Sequence, residues 1–218
     1  STRPLQAQER LRLLAYLGEF RRFLEIRTFG DELEAAAGNR AARRLTALLA
    51  DLDAICVAQN IPAGAALSEF SPAQFEVNLH HVDDPVLACD HAVLLKRAVK
   101  AAAVRNGLGA TFMAKPFEEN SGNGLHVHVS LLDEAGDNVF AGESRDGPFS
   151  DRLRHAIGGL GALMAESMAI FAPNATSYRR HAPGSYVPAT PTWGPNHRGV
   201  AMRIPVSGPA NTRLEHRV

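Results

Sequence analysis

The sequence predicts an α+β fold built on an antiparallel sheet flanked by helices. Three observations predict it: strands and helices alternate without a regular βαβ rhythm, several short segments alternate apolar with polar residues at period two, and longer segments place apolar residues at three- and four-residue steps. The chain has 218 residues, 45% of them apolar and 21% charged, ample for a hydrophobic core. Lys+Arg and Asp+Glu both number 23, so no net charge recruits nucleic acid or an acidic membrane surface. No apolar run approaches the roughly 20 residues that span a bilayer. The first residues lack the layout of a secretory signal, and Cys56 and Cys89 have no metal or disulfide spacing. The expectation is a reduced, soluble, cytoplasmic protein with core-filling cysteines and no nucleic-acid or membrane partner. The chain stops in a charged strand and reads as a piece of something longer.

Each element follows in order. Residues 5–59 read as helical, with Leu11, Leu14, Leu17 and Phe20 at helical steps and breaks near Gly30 and Gly38; Ala42 to Asn60 is the second helix. This gives a helical part over 1–60 and a sheet core over 61–218. Strands are expected at Ala66–Phe70 and Gln74–Val82, around a turn at Ser71-Pro72. Asp84 caps a helix with Pro85 at its first position, running to about Asn106-Gly107. Strands Ala110–Phe117 and Leu125–Asp133 flank the loop 119–124. A helix spans 151–171, the tail is loop-rich to 198, and strands close the chain at Val200–Val206 and Arg213–Arg217. Trp193 is expected to pack against the tail loop.

The polar faces of these strands carry the chemistry. Period two puts His126, His128 and Ser130 on one face, opposite Leu125, Val127 and Val129. Glu76, Asn78 and His80 share a face, Arg203 faces away from Met202 and Ile204, and Arg213, Glu215 and Arg217 share a face. A half-solvated sheet also alternates, but its outward residues are mostly Lys, Thr and Ser. Carboxylates with imidazoles suit a divalent metal, and guanidinia suit carboxylate or phosphate. Together they point to a site holding metal and polyphosphate. His128 reads as a hydrogen-bond donor to substrate in preference to a second metal ligand. A metal hydrolase built on His126, His128 and the glutamates would leave the arginines unexplained.

A series of ordered motifs carries a resemblance. Residues 110–116 (ATFMAKP) and 122–131 (GNGLHVHVSL) resemble the ATP-binding signature of glutamine synthetases, and 69–76 (EFSPAQFE) resembles their two-glutamate metal motif. Residues 174–180 (NATSYRR) with Pro183-Gly184 resemble their glutamate-binding segment. Asn196-His-Arg198, Met202-Arg-Ile-Pro205 and Arg213-Leu-Glu-His-Arg217 follow in the family's order. The resemblance covers about residues 65–218 and implies the family's curved-sheet catalytic domain.

It also implies roles. Glu69 and Glu76 correspond to ligands of one metal, His126 and Glu215 to ligands of a second, with two Mg2+ or Mn2+ per complete site and ATP as cosubstrate. His128, Ser130, Arg203 and Arg213 correspond to nucleotide contacts. Gly122 lies in the loop that contacts glutamate, and Arg180 corresponds to the clamp on its α-carboxylate. Arg198 corresponds to the residue that stabilises phosphoryl transfer and Arg217 to the one that guides the γ-carboxylate. The partners implied are ATP, glutamate and a small amine, with a homo-oligomeric ring.

Two departures sharpen the expectation. Glutamine synthetases carry a glutamate two residues after the Pro-Gly, where it binds ammonium; this chain has Tyr186 there. A phenol with a pKa near 10 neither attracts a small cation nor serves as a base. An organic amine acceptor is therefore expected, as in the γ-glutamylpolyamine synthetase-like branch that the sequence resembles. The alternatives are ordinary glutamine synthetase or a catalytically inactive relative. The second departure is the family's Glu-x-Glu strand: Glu32-Leu-Glu34 has its spacing but a helical, loop-flanked context. With that strand and the N-terminal β-grasp domain unrecognised, the 218-residue piece is expected to bind metal-nucleotide weakly and to lack turnover.

Overall fold

The computed structural model describes the backbone of residues 15–28 and 38–42, and residues 43–71, 73–143, 149–182, 185 and 187–217 in full. In chain order the elements are β1 (Ala15–Thr28), α1 (Gly38–Ala58), β2 (Ala63–Ser68), β3 (Gln74–Leu79), α2 (Pro85–Arg105), β4 (Leu108–Thr111), β5 (Leu125–Leu131), α3 (Asp151–Ala162), α4 (Met164–Phe171), α5 (Ala175–Tyr178), β6 (Trp193–Pro195), β7 (Met202–Ile204) and β8 (Leu214–Arg217). One sheet runs in the order β2-β3-β1-β5-β8-β7-β6, with β4 paired to β1.

The α+β expectation holds; the strand expected at Ala110–Phe117 is shorter, ending at Thr111 as β4, and two larger corrections concern β1 and β6. Residues 15–28, expected to be helical, form the strand between β3 and β5. The reason is a bulge: Gly18 pairs with His128 and Arg21 with His126, so three steps on β1 match two on β5. That extra residue breaks the period-two pattern and leaves Leu17 and Phe20 three apart, which imitates a helix. Leu11, Leu14 and Glu32-Leu-Glu34 lie outside the described residues. Secondly, the sheet is not wholly antiparallel, because β6, expected as loop, runs parallel to β7. Three residues are too few to show a period.

The helix signals fare better. Asp84 caps α2, its carboxylate accepting from Val86 N at 2.8 Å and Leu87 N at 3.1 Å. Helix 151–171 divides at Leu163, where α3 passes to α4.

Register fixes the two faces. Val127 pairs with His216, Met202 with His216 and Val129 with Leu214, so these residues share one face. Helices cover it. Leu48, Leu52 and Cys56 of α1 and Leu95, Val99 and Ala102 of α2 pack with Val77 and Leu79. At the other end Leu153 and Ile157 of α3 pack with Phe140, Met202, Ile204 and Leu214. Cys56 is core filler as expected; Cys89 is exposed on α2. Trp193 meets Phe149 edge-on, with ring centroids 6.1 Å apart.

His216 is the polar exception on this face. Phe171 stands edge-on to its ring at 4.8 Å, and burial pulls its pKa from 6.5 to about 4. A folded pKa below the unfolded one means the unfolded chain takes up a proton that the folded chain refuses. Stability is therefore full above pH 6.5 and falls toward pH 4 by about 3 kcal/mol. Urea midpoints measured across that range should lose this slope in His216→Leu.

Candidate active site

The opposite face of the sheet gathers the ionisable groups. His128 pairs with Glu215, His126 with Arg217, and Arg203 with Glu215, so all five stand on one side of β5, β8 and β7. Arg21 of β1 lies opposite both Asn78 and His126, which carries the same face across to β3 and its Glu76. This face is not the solvated side of an ordinary sheet: Glu215 is 0% exposed, His128 1% and Glu76 4%.

Glu215 is the centre of the arrangement. Its Oε1 accepts from Arg217 Nη1 at 2.7 Å and lies 3.2 Å from His126 Nδ1; its Oε2 accepts from Arg203 Nη1 at 3.0 Å. Arg203 Nη2 donates onward to Asn196 Oδ1 at 3.0 Å. A carboxylate with no exposure holds its charge only among such partners, since desolvation of an unpaired ion costs several kcal/mol. Burial lowers the Arg217 pKa, Glu215 opposes that, and the positive charges of Arg203 and Arg198 add to it. The electrostatic influence of Arg198, exposed in the loop between β6 and β7, therefore reaches this cluster. Arg213 Nε donates to His128 Nδ1 at 3.1 Å, so Nδ1 is the acceptor and Nε2 carries the ring proton.

A second group forms where β5 begins. A Cβ on Gly122 would stand 2.7 Å from Ala114 O and 2.7 Å from Arg180 Cγ, so the loop and the Arg180 stem touch only because residue 122 has no side chain. Arg180 lines a cavity of about 600 Å3 with Asn123, Asn174, Ser177, Phe112 and Phe171. Burial lowers its guanidinium pKa to about 10, which favours an anionic partner there. Gly122→Ala is expected to cost on the order of 1–3 kcal/mol of stability, read as a lower urea midpoint, because a backbone oxygen cannot step aside.

The expected site residues thus fall into connected groups. Glu215, His126, His128, Arg203, Arg213 and Arg217 are together; Gly122 and Arg180 are together. Glu76 is on the shared face, and Glu69, half-buried, donates its N–H to Gln74 O at 2.9 Å at the head of β3. Ser130 follows His128 on β5 with partial exposure. Tyr186 lies outside the described residues. Among the described residues, no three of His, Cys, Asp and Glu converge as a metal-binding group. Sequence reasoning missed Asn196 and Gln74 as side-chain partners; both lie inside the quoted motifs, but spacing alone gives neither a role.

The fold is an α+β one whose sheet has one helix-covered face and one face of buried carboxylate, imidazole and guanidinium. The family model for the catalytic domain of glutamine synthetase matches residues 25–218, and the chain belongs to the glutamine synthetase family. It is 46% identical over 172 residues to the γ-glutamylputrescine synthetase PuuA of Escherichia coli strain K12, covering 78% of this chain and 36% of that protein. It is 40% identical to a glutamate–isopropylamine ligase of a Pseudomonas species, covering 71% and 33%. A solved GmaS/ADP complex superposes with a TM-score of 0.75 at 30% identity, covering 93% of this chain and 49% of that one. The chain thus spans about a third of the length of these curated relatives and about half of the solved chain.

Proposed function

We propose that the protein is an ATP-dependent carbon–nitrogen ligase that joins the γ-carboxyl of glutamate to an organic amine through a γ-glutamyl phosphate. The observation that carries the reading is the buried sheet face on which Glu215, His126 and two arginines meet. A carboxylate is a poor acylating agent because its leaving group would be oxide. Transfer of a phosphoryl group to it gives an acyl phosphate that an amine attacks, with phosphate leaving. Such transfer needs charge neutralisation more than covalent help, and guanidinia supply it.

In this reading Arg203, Arg213, His128 and Ser130 hold the nucleotide, with His128 donating from Nε2. Arg180 binds the α-carboxylate, Gly122 lines the amino-acid site, Arg217 orients the γ-carboxylate, and Arg198 stabilises the transferring phosphoryl group. The donor types suit Mg2+ or Mn2+: His126 and Glu215 are already 3.2 Å apart and would hold one ion, and Glu69 and Glu76 would contribute to a second. When bound, such ions neutralise phosphate charge. The full-length protein is proposed to act in the cytoplasm as a ring of identical subunits.

An organic amine is favoured over ammonium by Tyr186 and by the names of the relatives. Putrescine, isopropylamine and ethanolamine derivatives are named for proteins 46%, 40% and 34% identical to this chain. Glutamine synthetases also match, among them that of Thermococcus kodakarensis at 38%. ADP release by the full-length protein with glutamate should be faster with mono- and polyamines than with ammonium. Tyr186→Glu should move the preference toward ammonium. Faster turnover of ammonium by the unaltered enzyme would refute the amine assignment.

A further inference from the structure

We propose that Gln74 is a positioning residue, which sets the Gly122–Arg180 end of the site against the strand that carries Glu76. Gln74 is 2% exposed at the head of β3, and its side chain shares a strand face with Glu76 and Asn78. Its amide nitrogen donates to Gly122 O at 3.0 Å and to Asn123 Oδ1 at 3.0 Å. Its amide oxygen accepts from Ser71 N at 3.3 Å. Both donors are thereby used, and a flipped amide would set oxygen against two acceptors, so the orientation is fixed.

Two further contacts complete a brace. Ser71 Oγ accepts from Ser121 N at 2.7 Å. Asn123 donates from its backbone to Ala114 O and from its side chain to Met113 O, each at 2.8 Å. Ser71, Gln74 and Asn123 are all buried, and the Gln74 bonds to Ser71 and to the Asn123 side chain are shielded from water, while the others are partly so. The loop 121–123 is thus fastened on one side to the turn between Glu69 and Glu76 and on the other to the chain leaving β4. Arg180 leans on Gly122, so its stem takes its place from the same loop. Among the described residues, these hydrogen bonds of the brace run to β3, to the turn before it and to the chain leaving β4, and none runs to β7 or β8, which carry Arg203, Glu215 and Arg217.

The consequence for glutamate rests on the proposed function; the brace itself does not. In the full-length protein, Gln74→Leu leaves two buried acceptors without a donor. Amide exchange at Ser121 and Asn123 should then quicken, and the KM for glutamate should rise, each by about tenfold or more. The Kd for Mg-ADP should stay within about twofold, because β5, β7 and β8 keep their contacts. Gln74→Glu should be at least as damaging, since it sets a carboxylate against two oxygens. Ser71→Ala, which removes one acceptor and little volume, should quicken exchange at Ser121 even if the leucine variant folds poorly. Unchanged loop exchange in these variants would overturn the proposal, as would an equal loss of glutamate and nucleotide affinity. If the unaltered protein consumed no glutamate with any amine, the ligase reading would fail, and the exchange rates alone would decide the brace.

Discussion

In the full-length protein, Glu215→Gln is expected to lower stability by about 3–5 kcal/mol and, on the proposed function, to abolish binding of metal-nucleotide. The carboxylate is fully buried and accepts from Arg203 and Arg217 while standing beside His126. Glutamine keeps the shape and removes the charge, and its amide nitrogen must then face a guanidinium that can only donate. Two arginines are left in a desolvated site with no described carboxylate to replace the one removed. Equilibrium urea unfolding reads the stability term, and calorimetry with Mg-ADP reads the binding term. The two separate in the triple variant Glu215→Leu, Arg203→Leu, Arg217→Met. Exchanging a whole buried ionic group for apolar residues of similar volume restores much of the lost stability. It restores none of the binding. A Glu215→Gln protein with an unaltered urea midpoint would show that the cluster is more hydrated than its geometry implies.

That cluster was legible in the sequence because β5 and β8 obey period two without interruption. Leu125 to Leu131 alternates through His126, His128 and Ser130, and Arg213, Glu215 and Arg217 alternate with Leu214 and His216. The register then brings Glu215 opposite His128 and Arg203, a step that no single strand contains. Strand β1 was illegible for a physical reason: its bulge inserts a residue, and its place between β3 and β5 is decided by partners far along the chain. Gln74 was hidden differently. Its residue type is unremarkable, and its role exists only because Gly122, 48 positions later, folds back within 3.0 Å of it. Chemistry set by alternation could be read; chemistry set by long-range closure could not.

If Arg198 acts as proposed, Arg198→Ala is expected to leave the fold alone and lower kcat of the full-length enzyme by about 10^3, the scale at which an arginine on a transferring phosphoryl group acts. The contrast with Glu215 lies in exposure. Arg198 sits at the surface of the loop between β6 and β7, two residues past Asn196, whose backbone takes φ 48 and whose amide oxygen accepts from Arg203. The loop is therefore anchored to the Glu215 cluster through Asn196, and the Arg198 side chain is not needed to hold it. Loss of an exposed side chain away from such anchors changes stability by less than about 0.5 kcal/mol. Because its charge lowers the Arg217 pKa, removing it relieves repulsion and opposes any destabilisation. The glutamate KM and the nucleotide Kd should stay within a few-fold, since an interaction made only as the phosphoryl group transfers enters kcat alone. Arg198→Lys should recover little, because a point charge does not reproduce the planar fork that spans two phosphoryl oxygens. A variant whose loss fell on KM would place Arg198 in ground-state binding. One that kept kcat within tenfold would remove it from the reaction.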